Sequence, residues 1–143
     1  MKKKIIVVII FLLLFIGIIS FLIFNNRVVS IISLDINPSI EIGLNNKDKV
    51  KSVIALNDDG KDIISNNLGG KSLDKVLEVI TDNIVKKGYV KDDQVVIIIY
   101  SKGNIDNKKV EDSVRRSFDN KKIVTDIIVI DKVTNEDKEI AKK

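Results

Sequence analysis

The stretch Ser33-Leu-Asp-Ile-Asn-Pro-Ser-Ile-Glu-Ile-Gly-Leu-Asn45, SLDINPSIEIGLN, decides how this chain is read. On either side of Asn37-Pro38 the residues alternate with the period of a β-strand. Ile32, Leu34 and Ile36 share one face against Ser33 and Asp35; Ile40, Ile42 and Leu44 share one against Ser39, Glu41 and Gly43. Pro38 is the only proline in the chain. Proline has a fixed φ and no backbone N–H, so within a sheet it is confined to strand starts, edges and bulges. Two readings stand: a corner between two strands, or a bond at which the chain itself reacts.

Outward from this stretch, the first strand is expected over 28–36. Asn45-Asn46-Lys47-Asp48 supplies turn chemistry after the second. A third strand over 50–56 runs into Asn57-Asp58-Asp59-Gly60, read as another turn. Ser72 suits the cap of a helix whose apolar positions Leu73, Val76, Leu77, Ile80 and Ile84 keep the helical period, with Gly88 to end it. A second helix over 108–120 has one narrow stripe, Val110, Val114 and Phe118. The continuous apolar runs 95–100 and 127–130 suit central strands. The order β-β-β-α-β-α-β predicts an α+β fold: a mixed or mostly antiparallel sheet of about five strands with two to three helices on one face. The tail 134–143 has the start of a short helix, with only Ile140 and Ala141 to bury.

The segment 5–24, IIVVIIFLLLFIGIISFLIF, carries no charge. At about 20 residues it matches the hydrocarbon thickness of a bilayer. It is longer than the ~7–15 residues of a signal peptide's apolar core, and no A-x-A-like cleavage site follows. Lys2, Lys3 and Lys4 precede it and only Arg27 closely follows, which predicts a cytoplasmic amino terminus. The expected organisation is a short cytoplasmic tail over 1–4, a single-pass transmembrane helix over 5–24 in the cell membrane, a juncture over 25–27 and one extracytoplasmic domain over 28–143.

The net charge of +4 belongs to the membrane segment: without Lys2, Lys3, Lys4 and Arg27 the chain has 20 basic and 20 acidic residues. A neutral domain with few aromatics does not read as a nucleic-acid binder. Cysteine and histidine are both absent. Disulfides, the usual zinc ligands and the Ser-His and Cys-His nucleophile systems therefore drop out, and no cofactor or metal is expected.

Three motifs are set aside. Gly69-Gly70-Lys71-Ser72 resembles the end of a phosphate-binding loop, but Ser65 stands where the first glycine is required. Asn57-Asp58-Asp59-Gly60 lacks the alternating carboxylates and distal glutamate of a calcium loop. Asp35 and Glu41 do not sit in a context that suggests a sugar cleft, so no enzyme with an external substrate is expected.

The Asn37-Pro38 bond has chemistry of its own. Succinimide formation normally uses the nitrogen of the following residue, but that of Pro38 is tertiary and cannot attack. The reverse remains open: the Asn37 side-chain nitrogen adds to its own backbone carbonyl, and Pro38 leaves as a new amino terminus. A fold accelerates such a step by holding near-attack geometry and straining the amide. By position, Asp35 and Glu41 are candidates to relay the proton, and Ser39 or nearby backbone amides to stabilise the oxyanion.

An apolar amino-terminal helix followed by SLDINPSIEIGLNNKDKVKSVIALNDDGKDII resembles the membrane-proximal extracytoplasmic domain of the RsgI family of anti-sigma factors from Gram-positive spore-formers. The resemblance is specific over 33–64 and looser through Gly88-Tyr89 to Ala141. It implies autoproteolysis at Asn37-Pro38, with at most one turnover, and fragments that stay associated by sheet pairing. It further implies signal transduction in which an intramembrane or site-specific protease releases a sigma factor. Only Met1 to Lys4 precede the helix, so a separate cytoplasmic anti-sigma protein is the expected partner. The alternative is a non-cleaving, membrane-anchored interaction domain of a shortened paralogue.

Overall fold

The computed structural model describes residues 2–65 and 67–130. The helix expected over 134–143 lies outside the described residues. Helix α1 (Lys2–Asn25) is followed by strands β1 (Ser30–Asp35), β2 (Ser39–Leu44) and β3 (Val50–Ala55). Helices α2 (Asp58–Ile63) and α3 (Leu73–Lys86), strand β4 (Gln94–Gly103), helix α4 (Asn107–Asp119) and strand β5 (Val124–Ile130) complete the domain.

The five strands form one mixed sheet in the order β3-β2-β1-β4-β5. β1 is antiparallel to both neighbours, pairing Ser30 with Leu44 and Gly103, and Asp35 with Ser39 and Ile98. β4 and β5 are parallel, joined through α4. The α+β fold expected from the sequence is the one observed.

The alternation read around Asn37-Pro38 is the alternation of burial. Ile32, Leu34, Ile36, Ile40, Ile42 and Leu44 all enter the core, where they meet Val76, Leu77, Ile80 and Ile84 of α3 and Val110, Val114 and Phe118 of α4. Ser72 caps α3 by accepting from the Lys75 N–H, and Gly88, at φ 78°, follows its last turn. Between α3 and α4, the Thr81 hydroxyl donates to Ser117 Oγ at 3.0 Å and Ser117 Oγ donates to the Val114 carbonyl at 2.7 Å. The helix–helix seam thus buries hydroxyls with their hydrogen bonds satisfied.

Two local expectations are corrected. Asn57-Asp58-Asp59-Gly60 is not a hairpin turn: Asn57 caps α2, and Asp58 and Asp59 occupy its first turn, where carboxylates favour the helix dipole. The run 127–130 is not central, because β5 is the edge strand beside β4. Its apolar density serves one covered face only, with Ile127 and Val129 against the core and Ile128 47% exposed on the other side.

Helix α1 is long and apolar enough to cross a membrane, and its apolar side chains from Ile5 to Phe24 are exposed. Its last turn is tied to the β2–β3 loop. Asn45 Nδ2 donates to the Asn25 carbonyl at 3.0 Å, and Asn46 Nδ2 donates to Asn25 Oδ1 at 3.1 Å.

Candidate functional site

The candidate site is the tip of the β1–β2 hairpin, at the end of the strands remote from α1. Asp35 and Ser39 form the last strand pair, leaving Ile36, Asn37 and Pro38 to make the turn. The Ile36 N–H donates to the Pro38 carbonyl at 3.1 Å, and Pro38 has no N–H to return. Ile36 and Pro38 are buried, while Asn37 stands exposed between them at φ 54°. Asparagine is among the few non-glycine residues that visit this left-handed region readily. The residue is therefore both the one the turn geometry favours and the one whose side chain can attack its own carbonyl.

A polar network holds the carboxyl-terminal leg of the turn. The Ser39 hydroxyl donates to Asp35 Oδ1 at 2.6 Å, across the strand pair. Asn57 Oδ1 accepts the Ser39 N–H at 3.1 Å and the Gly60 N–H at 2.7 Å, so one side-chain oxygen both caps α2 and fixes the residue after Pro38. Asn57 Nδ2 reaches Ser39 Oγ at 3.5 Å, and the Leu56 N–H donates to the Ser39 carbonyl at 2.9 Å. Gly60 is required for the fit, since a Cβ there would overlap the Ser39 carbonyl oxygen. Ser39 thus has its amide, hydroxyl and carbonyl all engaged. In this arrangement it braces the turn, and an oxyanion would have to draw donors from elsewhere.

Of the five residues singled out from the sequence, four are brought together: Asp35 and Ser39 in direct contact, Asn37 and Pro38 in the turn they close. Glu41 is not at the tip. It pairs with Ser33 and Ile54, two residues farther along β2, or about 7 Å of strand. Asn57 and Gly60 were missed by the sequence reading. Asparagine before two aspartates is a helix-cap signature that would have located α2, but contact with Ser39 spans 18 positions and has no local signal.

Behind α2, Tyr89 Oη donates towards Asp59 Oδ1 at 3.3 Å and Asp62 Oδ2 at 3.4 Å. Partial burial and these carboxylates push the phenol pKa up, which keeps it a donor. A cleft of about 600 Å³ lies at the other, α1-proximal end, lined in part by Leu44, Lys49, Ser72, Asp106 and Lys109. It does not reach the turn. Among the described residues there is no metal-holding cluster of carboxylates.

The position of β1 gives a cut after Asn37 a definite consequence. The amino-terminal piece would carry α1 and the central strand, bonded on one side to β2 and on the other to β4. Burial of Ile32, Leu34 and Ile36 stabilises that strand by on the order of 5–9 kcal/mol before ordering costs.

Residues 29–143 match the family described as the anti-sigma factor RsgI-like central domain. The chain is 30% identical over 125 residues to anti-sigma-I factor RsgI7 of Acetivibrio thermocellus, covering 82% of this chain and 23% of that protein. It is 30% identical over 89 residues to anti-sigma-I factor RsgI9 of the same organism, covering 62% of this chain and 13% of that protein. Anti-sigma-I factor RsgI of Bacillus subtilis is 28% identical over 109 residues, covering 75% of this chain and 29% of that protein. The chain spans less than a third of the length of each of these relatives.

Proposed function

The chain belongs to the RsgI-like anti-sigma factor family, and on that premise we propose that it is a membrane-anchored regulator whose extracytoplasmic domain cuts itself once, between Asn37 and Pro38. The observation that carries the reading is the position of Asn37: exposed, left-handed, and between a strand locked on both edges and a serine locked by Asn57.

In the proposed step Asn37 Nδ2 forms a bond to the Asn37 backbone carbonyl carbon, and the Asn37–Pro38 C–N bond breaks. A proton from the attacking amide passes to the Pro38 nitrogen, which leaves as a secondary amine. Water later opens the terminal succinimide. The clamp supplies positioning, which in favourable cases supplies a large part of such a barrier. Asp35, joined to Ser39 Oγ, is the carboxylate to which this reading gives the proton movement, supported by that contact.

Helix α1 serves as the anchor, with Lys2, Lys3 and Lys4 on the cytoplasmic side and the sheet outside. Separation of β1 from β2 and β4 would then expose the membrane piece to a further protease and pass the signal to the sigma-factor pathway. The full chain purified in detergent, analysed by intact mass beside Asn37→Gly, tests the cut. Two pieces meeting at Pro38 in the parent and one species in the variant support it. A single folded species in both leaves an uncut, anchored interaction domain.

A further inference from the structure

The β2–β3 loop sits beside the last turn of α1, and that placement has a chemical consequence. Asn45 is 8% exposed, and its Oδ1 accepts the N–H groups of Lys47 and Lys49 at 3.0 Å each while its Nδ2 holds the Asn25 carbonyl. The loop is therefore rigid and fixed to the helix end. Lys47 Nζ lies 5.8 Å from the centre of the Phe21 ring, one helical turn before Asn25. Phe21 belongs to the uncharged stretch that ends at Phe24. A lysine on the folded domain thus reaches the level of the apolar helix itself.

A cation at that depth sits in the headgroup layer, where lysine keeps its stem along apolar surface and its ammonium among phosphates. Arg27 lies two residues past the helix end, and Lys49 and Lys71 flank the first residue of β3, where the Lys71 carbonyl accepts the Val50 N–H at 2.9 Å. The carboxylates in the loops at this end are already engaged. Asp48 pairs with Lys109 at 3.2 Å, and Asp106 caps α4 by accepting from the Lys108 and Lys109 N–H groups. The loop ends of the sheet next to α1 therefore present a surplus of cations.

Resting on the reading of α1 as a membrane span, we propose that the Asn45–Lys49 loop is a membrane-docking element. Lys47, with Arg27 and Lys49, binds the phosphates of anionic lipids in the outer leaflet and holds the sheet end against the bilayer. The occupant is the lipid surface itself. Asn37-Pro38, at the opposite end of β1, is then directed away from the membrane.

The test uses the full chain reconstituted in vesicles of phosphatidylcholine with and without phosphatidylglycerol, labelled at Asn104→Cys in the exposed β4–α4 loop; the chain has no other cysteine. Nitroxide on the lipid headgroups quenches the label according to its distance. The proposal expects severalfold stronger quenching with phosphatidylglycerol. The excess should disappear in Lys47→Glu and in about 1 M salt, where the screening length falls to about 3 Å. Equal quenching in both lipids, from a chain that resists alkaline carbonate extraction, would overturn the docking while leaving the anchor intact. A chain stripped from both vesicle types by carbonate would overturn the anchor and the docking together.

Discussion

The side-chain oxygen of Asn57 lies 3.1 Å from the backbone nitrogen of Ser39, the residue that follows Asn37-Pro38. The same oxygen caps α2 through Gly60 at 2.7 Å. The Asn37-Pro38 turn and the start of a helix are thereby fixed by one atom, so changes in α2 should be felt at the turn.

Replacing Asn57 tests that coupling. Asn57→Ala should cost about 0.5–2 kcal/mol as a lost cap and slow cleavage, because Ser39 loses the partner of its amide. Asn57→Asp keeps the acceptor and should recover most of both. Thermal melts combined with the time course of the cut check this; equal cleavage in all three proteins would show that the brace does not matter to the chemistry.

Asn37 itself separates turn geometry from reactivity. Asn37→Gly keeps the left-handed conformation at φ 54° without strain and removes the attacking nitrogen. It should fold as well as the parent and never yield a Pro38 amino terminus. Asn37→Ala should also be uncut but less stable than Asn37→Gly by about 1 kcal/mol, the penalty of a Cβ in this region. Cleavage in Asn37→Gly, read by mass, would rule out the side-chain route.

Gly60→Ala probes the contact between α2 and the hairpin. Its Cβ meets the Ser39 carbonyl, a backbone atom that cannot swing aside. A loss of about 1–3 kcal/mol is expected from overpacking, together with slower cleavage. An unchanged melting temperature would mean that α2 shifts freely.

If the proposed cut occurs, retention of the amino-terminal piece should depend on the buried face of β1. Leu34 is 1% exposed at the centre of the sheet. Leu34→Ala should cost about 2–5 kcal/mol and let the fragments part in native size-exclusion runs, whereas the parent should co-elute and separate only in denaturant.

Acid should loosen the α3–α4 seam. Asp74 is held below the ordinary aspartate value of 3.8 by its hydrogen bond with Ser113 and by Arg116, and Asp82 by its hydrogen bond with Lys121. Carboxylates depressed on folding stabilise fully above their unfolded value and lose that contribution as pH falls through the lower folded one. Melting temperatures should hold steady near neutrality and drop below about pH 4. In Asp74→Asn/Asp82→Asn the drop should be shallower; since both pairs are at the surface, the difference is small.

The sequence by itself settled the local features. The period-two alternation around Asn37-Pro38 assigned six core side chains correctly, because a strand sends successive residues to opposite faces. The period of α3, its Ser72 cap and Gly88 were equally local. The apolar length of α1 needed only counting. Tertiary structure alone decided that β1 is central and β5 is an edge, since apolar density in a strand does not record which neighbours it acquires. It also turned the Asn57–Gly60 segment from an apparent turn into a helix cap that grips Ser39, and moved Glu41 away from the site. Those facts depend on pairings between distant residues, and hydrogen bonds of that kind form only once the sheet has brought the partners together.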